Sequence, residues 1–191
     1  VDYEAGLRYR GEKFYFEGNL YYMDYYNQLI PTGRISETGY TIKENVKESY
    51  RAGIELATGW RIIPSLLLDG NLTVSRNRIK NFTQYVDLFD ENWSSLGQEE
   101  LYFKEVTIGF SPSLIAMAQL SWDIGKEFST NLMTKWVGSQ YLDNRADRDN
   151  MIPSYSVTSL SIQKGFNMGM GRQFELSLFI NNLFNHRYYS D

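Results

Sequence analysis

The chain has 191 residues, a formal net charge of −4 and no cysteine. This excludes disulfides, Cys-based zinc sites and thiol catalysis, and the acidic balance gives no electrostatic case for a nucleic acid partner. No apolar run approaches the ~18 residues of a transmembrane helix, and the opening VDYEAGLRYR does not read as a signal peptide.

Aromatic content is high at 16%, with Tyr (15) and Phe (11) dominant. These residue types favour strands, and Tyr favours surfaces that are apolar at one end and wet at the other. Period-two alternation marks the strands. Residues 3–10 set Tyr3, Ala5, Leu7 and Tyr9 against Glu4, Gly6, Arg8 and Arg10, and Gly11-Glu12-Lys13 turns the chain. Residues 14–26 carry Phe14, Phe16, Leu20 and Tyr22 on one face, with Glu17 and Asn19 on the other. Residues 27–48 then read as polar and irregular. The cleanest alternation is 49–62, where Tyr50, Ala52, Ile54, Leu56, Trp60 and Ile62 oppose Arg51, Gly53, Glu55, Gly59 and Arg61. Pro64-Ser65 breaks it, and residues 66–78 follow as a fourth strand. A second long polar segment runs from 79 to 113.

Residues 114–124 resume the alternation, and Gly125-Lys126-Glu127 is a turn. A weaker strand at 128–141 carries Phe128, Leu132 and Trp136. Residues 142–153 are a charged loop, 155–166 a seventh strand, and 167–173 a return. The eighth strand sets Phe174, Leu176, Leu178 and Ile180 against Glu175, Ser177 and Asn181. Connections thus alternate between short and long. Short turns at one rim and long loops at the other are the habit of a membrane β-barrel, with apolar residues outward and polar residues in the lumen. Strands of ~9–13 residues suit a tilted crossing of the hydrocarbon layer. Aromatics at the strand ends, such as Tyr22, Trp60, Trp122 and Phe128, read as interfacial girdles. The expected fold is all-β: an antiparallel up-and-down transmembrane β-barrel segment of about eight strands. A self-contained eight-stranded barrel, soluble or in a membrane, that binds a small apolar ligand is the alternative.

Four stretches resemble the TonB-dependent outer-membrane receptors. Phe179-Ile180-Asn181-Asn182-Leu183-Phe184-Asn185-His186-Arg187-Tyr188-Tyr189 is similar to the family's late-strand signature, an apolar run followed by N-L-F-(N/D)-x-x-Y. Tyr3-Glu4-Ala5-Gly6-Leu7-Arg8 resembles its Y-E-x-G-x-(R/K) strand, residues 20–29 the next strand, and Ser49–Glu55 the one after. The resemblance implies residues 1–191 as the C-terminal portion of such a barrel, with the plug, the earlier strands and the last strand outside this sequence. It implies bacterial outer-membrane location and uptake of a scarce ligand of siderophore, cobalamin or glycan type, with energy supplied by TonB. The implied partners are outer-membrane lipid, the receptor's own plug and remaining strands, the TonB complex and the ligand.

No catalytic, cofactor or metal constellation is expected. His186 is the sole histidine and reads as a loop-proximal polar residue; an esterase-like enzyme would need it beside a serine. Asp143–Asn150 is oxygen-rich, but it lacks the EF-hand order and reads as a solvated external loop rather than a calcium site. Residues 87–105 are acidic with interleaved aromatics, and two readings stand: a loop that closes over ligand, and an ordinary mobile loop. Arg51, Glu55, Arg61, Asp69 and Asp123 are expected in the lumen, where salt bridges with the plug, a structural role, are favoured over direct ligand contact. Arg76 and Arg78 share the apolar parity near the loop end, at the height of lipid headgroups, where charges cost little.

Overall fold

Strong β-formers at alternating positions leave each strand with one apolar and one polar face, and pairing aligns those faces into rows. The computed structural model describes residues 1–36, 38–168 and 173–189. Its elements are β1 (Asp2–Arg10), β2 (Phe14–Ile35), β3 (Thr41–Ile63), β4 (Leu66–Phe89), β5 (Ser95–Thr107), β6 (Leu114–Gly125), β7 (Phe128–Val137), β8 (Gln140–Tyr141), β9 (Met151–Ile152), β10 (Tyr155–Asn167) and β11 (Gln173–Ile180). Nine strands form one sheet in the order β1-β2-β3-β4-β6-β7-β10-β11, with β5 paired to β4; β8 and β9 form a separate ribbon. All pairings are antiparallel. β5 lies along Arg78–Phe89 of β4 and β6 along Leu66–Val74. They are one return path, interrupted where residues 108–113 leave the ladder. The sheet therefore makes the expected eight passes and remains open, with β1 and β11 as edges.

The register builds apolar rows across the whole sheet. Phe14, Trp60, Leu68, Leu120, Leu132, Leu160 and Ile180 stand side by side. So do Ala5, Leu20, Ile54, Val74 and Leu114. Leu20, Ile54, Leu68, Val74 and Leu132 are exposed. Water would not tolerate so wide an apolar face, whereas lipid favours it. From Trp60 to Tyr50 the chain climbs ten residues, ~33 Å at ~3.3 Å per residue. At a tilt of ~40° that crosses ~25 Å, the height of the apolar band of an outer-membrane barrel. The short turns are staggered: β3 runs on from Gly59, which is level with Tyr15, to Ile63, and β6 runs on from Trp122, level with Leu66, to Gly125. Such a stagger accompanies the strand tilt of barrels.

The segments expected to be irregular, 27–48 and 79–113, are instead mostly strand. β2 and β3, and β4 and β5, continue as long hairpins beyond the apolar rows. Asn27 (φ 53°) and Asn81 (φ 50°) sit in the left-handed region within these strands, a conformation that Asn adopts more readily than most residues. Across each one the alternation slips by a position. Leu20 and Tyr22 lie on the apolar face, yet Gln28 accepts a 2.6 Å hydrogen bond from Ser49 on the other. Ile79 and Phe82 have opposite parity, yet both enter one cluster with Ile30, Val46, Val106 and Ile108, against which Phe103 and Ala146 pack. This small core holds the long hairpins together at one end of the sheet.

Candidate functional site

The polar face carries the residues expected to line the lumen. Arg10, Tyr15, Gly59, Asp69, Gln119, Met133 and Ser159 form one of its rows. Arg51, Glu55, Arg61 and Asp123 share that face by parity. They do not pair with one another. Arg51 donates to Asn77 Oδ1 (3.3 Å), and Asp69 accepts from the Tyr15 hydroxyl (3.1 Å). Asp123 accepts the Gly125 N–H (2.9 Å), so it shapes the β6–β7 turn. Among the described residues Glu17 forms ion pairs on this face with Arg8 at 2.9 Å and Arg10 at 3.9 Å.

Two tyrosines lie flat over glycines of the neighbouring strand. A Cβ on Gly59 would stand 2.1 Å from the Tyr15 ring, and one on Gly53 would stand 2.6 Å from the Tyr21 hydroxyl. Each glycine makes room for an aromatic that covers the backbone of β3. Two cavities open on this face and share Glu55 and Thr73. One, of about 570 Å³, is lined by Arg8, Glu17, Asn19 and Asn71 among others. The second, about 390 Å³, adds Tyr21, Arg51, Phe110 and Pro112. Tyr21 and Phe110 were not singled out by sequence reasoning. The odd parity of Tyr21 would have placed it inward, but nothing local signals Phe110.

Above the cavities stand the hairpins. The β4–β5 tip is closed by Asp90, whose Oδ1 accepts the N–H groups of Asn92 and Ser94 at 2.8 Å. This leaves Trp93 82% exposed beside Phe89, with ring centroids 6.0 Å apart. Residues 95–105 are strand in register with β4, so the segment 87–105 is an ordered hairpin with an aromatic tip.

The loop at 142–150 is not merely solvated. Asn144 is fully buried, and its side chain bridges two hairpins, accepting from Gly109 N and donating to Pro31 O, both at 2.8 Å. Gly109 permits the approach, because a Cβ there would lie 3.1 Å from the Asp143 backbone. Burial works to raise the Asp143 carboxyl, but hydrogen bonds from the Arg145 side chain and backbone and from Asn150 outweigh it and hold the carboxyl below its ordinary value. The same Asp143 contact raises the Arg145 guanidinium. The Asp143 oxygens are occupied by Arg145 and Asn150, while Asp147, Arg148 and Asp149 are exposed, so the loop is packed at its base and solvated at its tip.

His186 is exposed at the far end of the chain. Its backbone N–H donates to Asn182 Oδ1 and its carbonyl accepts from Asn182 Nδ2, both at 2.9 Å. The turn stays against β10, where Ser159 donates to Asn181 (2.7 Å) and Tyr188 stacks on Tyr155 at 4.8 Å. Among the described residues no group of three or more His, Asp or Glu side chains is arranged for a metal ion.

A family model described as TonB dependent receptor-like, beta-barrel, matches residues 1–183. No curated protein matches. Among solved structures, the ferric yersiniabactin uptake receptor FyuA from Yersinia pestis aligns at TM-score 0.65 and 18% identity, over 100% of this chain and 26% of its own. The siderophore receptor PiuA from Acinetobacter baumannii aligns at TM-score 0.65 and 16% identity, over 98% and 24%. The copper transporter OprC aligns at TM-score 0.64 and 18% identity, over 98% and 26%. The chain spans about a quarter of each of these proteins.

Proposed function

Because the chain belongs to the TonB-dependent receptor β-barrel family, a family of the bacterial outer membrane, we propose that it supplies part of the wall and external hairpins of an active-transport receptor. The receptor takes up a scarce ligand of siderophore, cobalamin or glycan type. The observation that carries this reading is the division of one sheet into three environments. An uncovered apolar face meets lipid, a polar face with adjoining cavities meets the lumen, and a packed hairpin cluster stands above. By the family's habit the long-loop rim is external. The aromatic tip at Phe89 and Trp93 first engages the ligand. The wall around Glu55, Arg51 and Tyr21 receives it, and a plug within the complete barrel, moved through TonB, admits it. Preformed concave sites with a few convergent polar groups are the usual setting for small ligands. The role of the chain is to bind and position, with no bond made or broken.

The reading is tested by calorimetry on the complete receptor with a ferric siderophore, cobalamin and an oligosaccharide. One of these classes binds, and the Phe89→Ala/Trp93→Ala double variant weakens it by about tenfold or more, since a buried aromatic anchor contributes ~2 kcal/mol. Absence of binding for all three classes, or unchanged affinity in the double variant, contradicts it. A self-contained barrel for an apolar ligand is disfavoured by the open edges β1 and β11.

A further inference from the structure

The return path formed by β5 and β6 is too long for the strand it follows. Between Arg78 and Val74, β4 has three residues, whereas the return chain has six between their partners Thr107 and Leu114. The surplus cannot enter the ladder, so residues 108–113 bow out of it, as extra residues do in a β-bulge. Ile108 N still donates to Asn77 O (3.1 Å) and Ser75 N to Ser113 O (2.8 Å), which fixes the two ends of the bow. Ser111 Oγ donates to Gly109 O and Ser75 Oγ to Pro112 O, both at 3.3 Å, and these bonds hold its shape.

Three consecutive residues of the bow have three different neighbours. Ile108 is buried in the hairpin core. Gly109 N donates to the buried side chain of Asn144 in the 142–150 loop, and Asn144 is itself moored to Pro31 O of β2. Phe110 N donates to Tyr141 O (2.8 Å) in the β8–β9 ribbon. The Phe110 ring lines the inner cavity with Tyr21, Arg51 and Glu55. Phe110 holds φ 53°, a left-handed conformation that a bulky residue keeps only where its surroundings impose it. The ring is 39% exposed, so the hold on this residue comes chiefly from the backbone bonds at 109 and 110.

We infer that Asn144 is a positioning residue for Phe110: through Gly109, the external 142–150 loop sets how far that ring stands in the inner cavity. Release of Asn144 lets residue 110 return to the extended region and withdraws the ring. Conversely, a body that fills the cavity and displaces the ring pulls on the Asn144 bond and loosens the loop, because a coupling between two sites is reciprocal. The inference rests on the function proposed above only in taking the polar face as the lumen wall, and not on the class of ligand.

The test uses the complete receptor in nanodiscs, with para-fluorophenylalanine in place of Phe110 and fluorine NMR as the readout of ring position. Asn144→Ala moves the resonance to that of a withdrawn ring. Gly109→Ala, whose Cβ would stand 3.1 Å from the Asp143 backbone, pushes the loop off and moves it likewise. Asn182→Ala opens an external turn that does not touch the bow and leaves the resonance in place. A merely structural role for Asn144 would loosen the loop without moving the ring. In the reverse direction, Thr73→Trp fills the cavity from β4, since Thr73 lines it. Amide exchange across 142–150 then quickens about tenfold, an ordinary size for coupling between sites, whereas Thr73→Ser leaves it unchanged. An unmoved resonance in both Asn144→Ala and Gly109→Ala, or loop exchange that ignores Thr73→Trp, overturns the inference. Broadening of the unaltered resonance by a lipid-borne nitroxide, rather than by a water-soluble one, overturns the lumen placement of the polar face instead.

Discussion

Asn144 connects three parts of the chain that are far apart in sequence. It is the buried bridge between Gly109 and Pro31, so its loss leaves an amide and a carbonyl unpaired at the base of the hairpins. Asn144→Ala should loosen the cluster by roughly 2 kcal/mol, measured as faster hydrogen exchange at Gly109 with unchanged exchange in β10. Asp143 gives the same loop a pH dependence. Its carboxyl is held below the ordinary 3.8, so its contribution is complete above that value and is lost as pH falls through the depressed one. Fluorescence anisotropy of a dye on the Arg148→Cys variant should therefore be flat from neutral pH down to the ordinary carboxylate range and drop below it. An added Asp143→Asn substitution should abolish that step. None of this was legible in DNRADRDN, because an asparagine that bridges two hairpins looks locally like one in a turn. The shared polar face of Arg51, Glu55 and Asp69 was legible, since parity alone fixes a side chain's face. Their partners were not, because Asn77 and Tyr15 arrive from other strands.

At the scale of the element, the passes that cross the membrane were legible and the hairpin extensions were not. A period-two reading assumes unbroken alternation. Asn27 and Asn81 break it by adopting positive φ inside otherwise continuous strands, so Ile30, Phe82 and Val106 appear scattered although they share one core. The polar residues between them complete the appearance of a loop. These asparagines are kinks that re-aim the hairpins and so give them a core independent of lipid. A β-branched residue resists that conformation by ~1–2 kcal/mol. Asn81→Val should therefore speed hydrogen exchange across β5 by roughly tenfold, whereas Asn81→Gly should leave it near the unaltered rate. Equal rates for the two variants would mean that the kink does not govern the hairpin.

For the whole molecule, the organising fact is that apolar rows lie on one face, one from β1 to β6 and one from β2 to β11, while a polar row runs from β1 to β10 on the other. Composition and alternation showed two faces, and the aromatic ends suggested the height of the band. They did not decide between a buried core and a lipid-facing wall, because either uses the same alternation. The register and the uncovered face decide it, together with the staggered turns. The same order leaves β1 and β11 as the two edges of the sheet, and unpaired edges favour pairing with further strands. The face assignment is tested most directly by spin labels placed one at a time along β6, from Leu114 to Ile124, in the complete receptor reconstituted in bilayers. The account predicts that labels at Ala116, Ala118, Leu120 and Trp122 collide with dissolved oxygen, and labels at Met117, Gln119 and Ser121 with a water-soluble paramagnetic reagent, in strict alternation. Uniform accessibility along the strand, or alternation of the opposite phase, would contradict it.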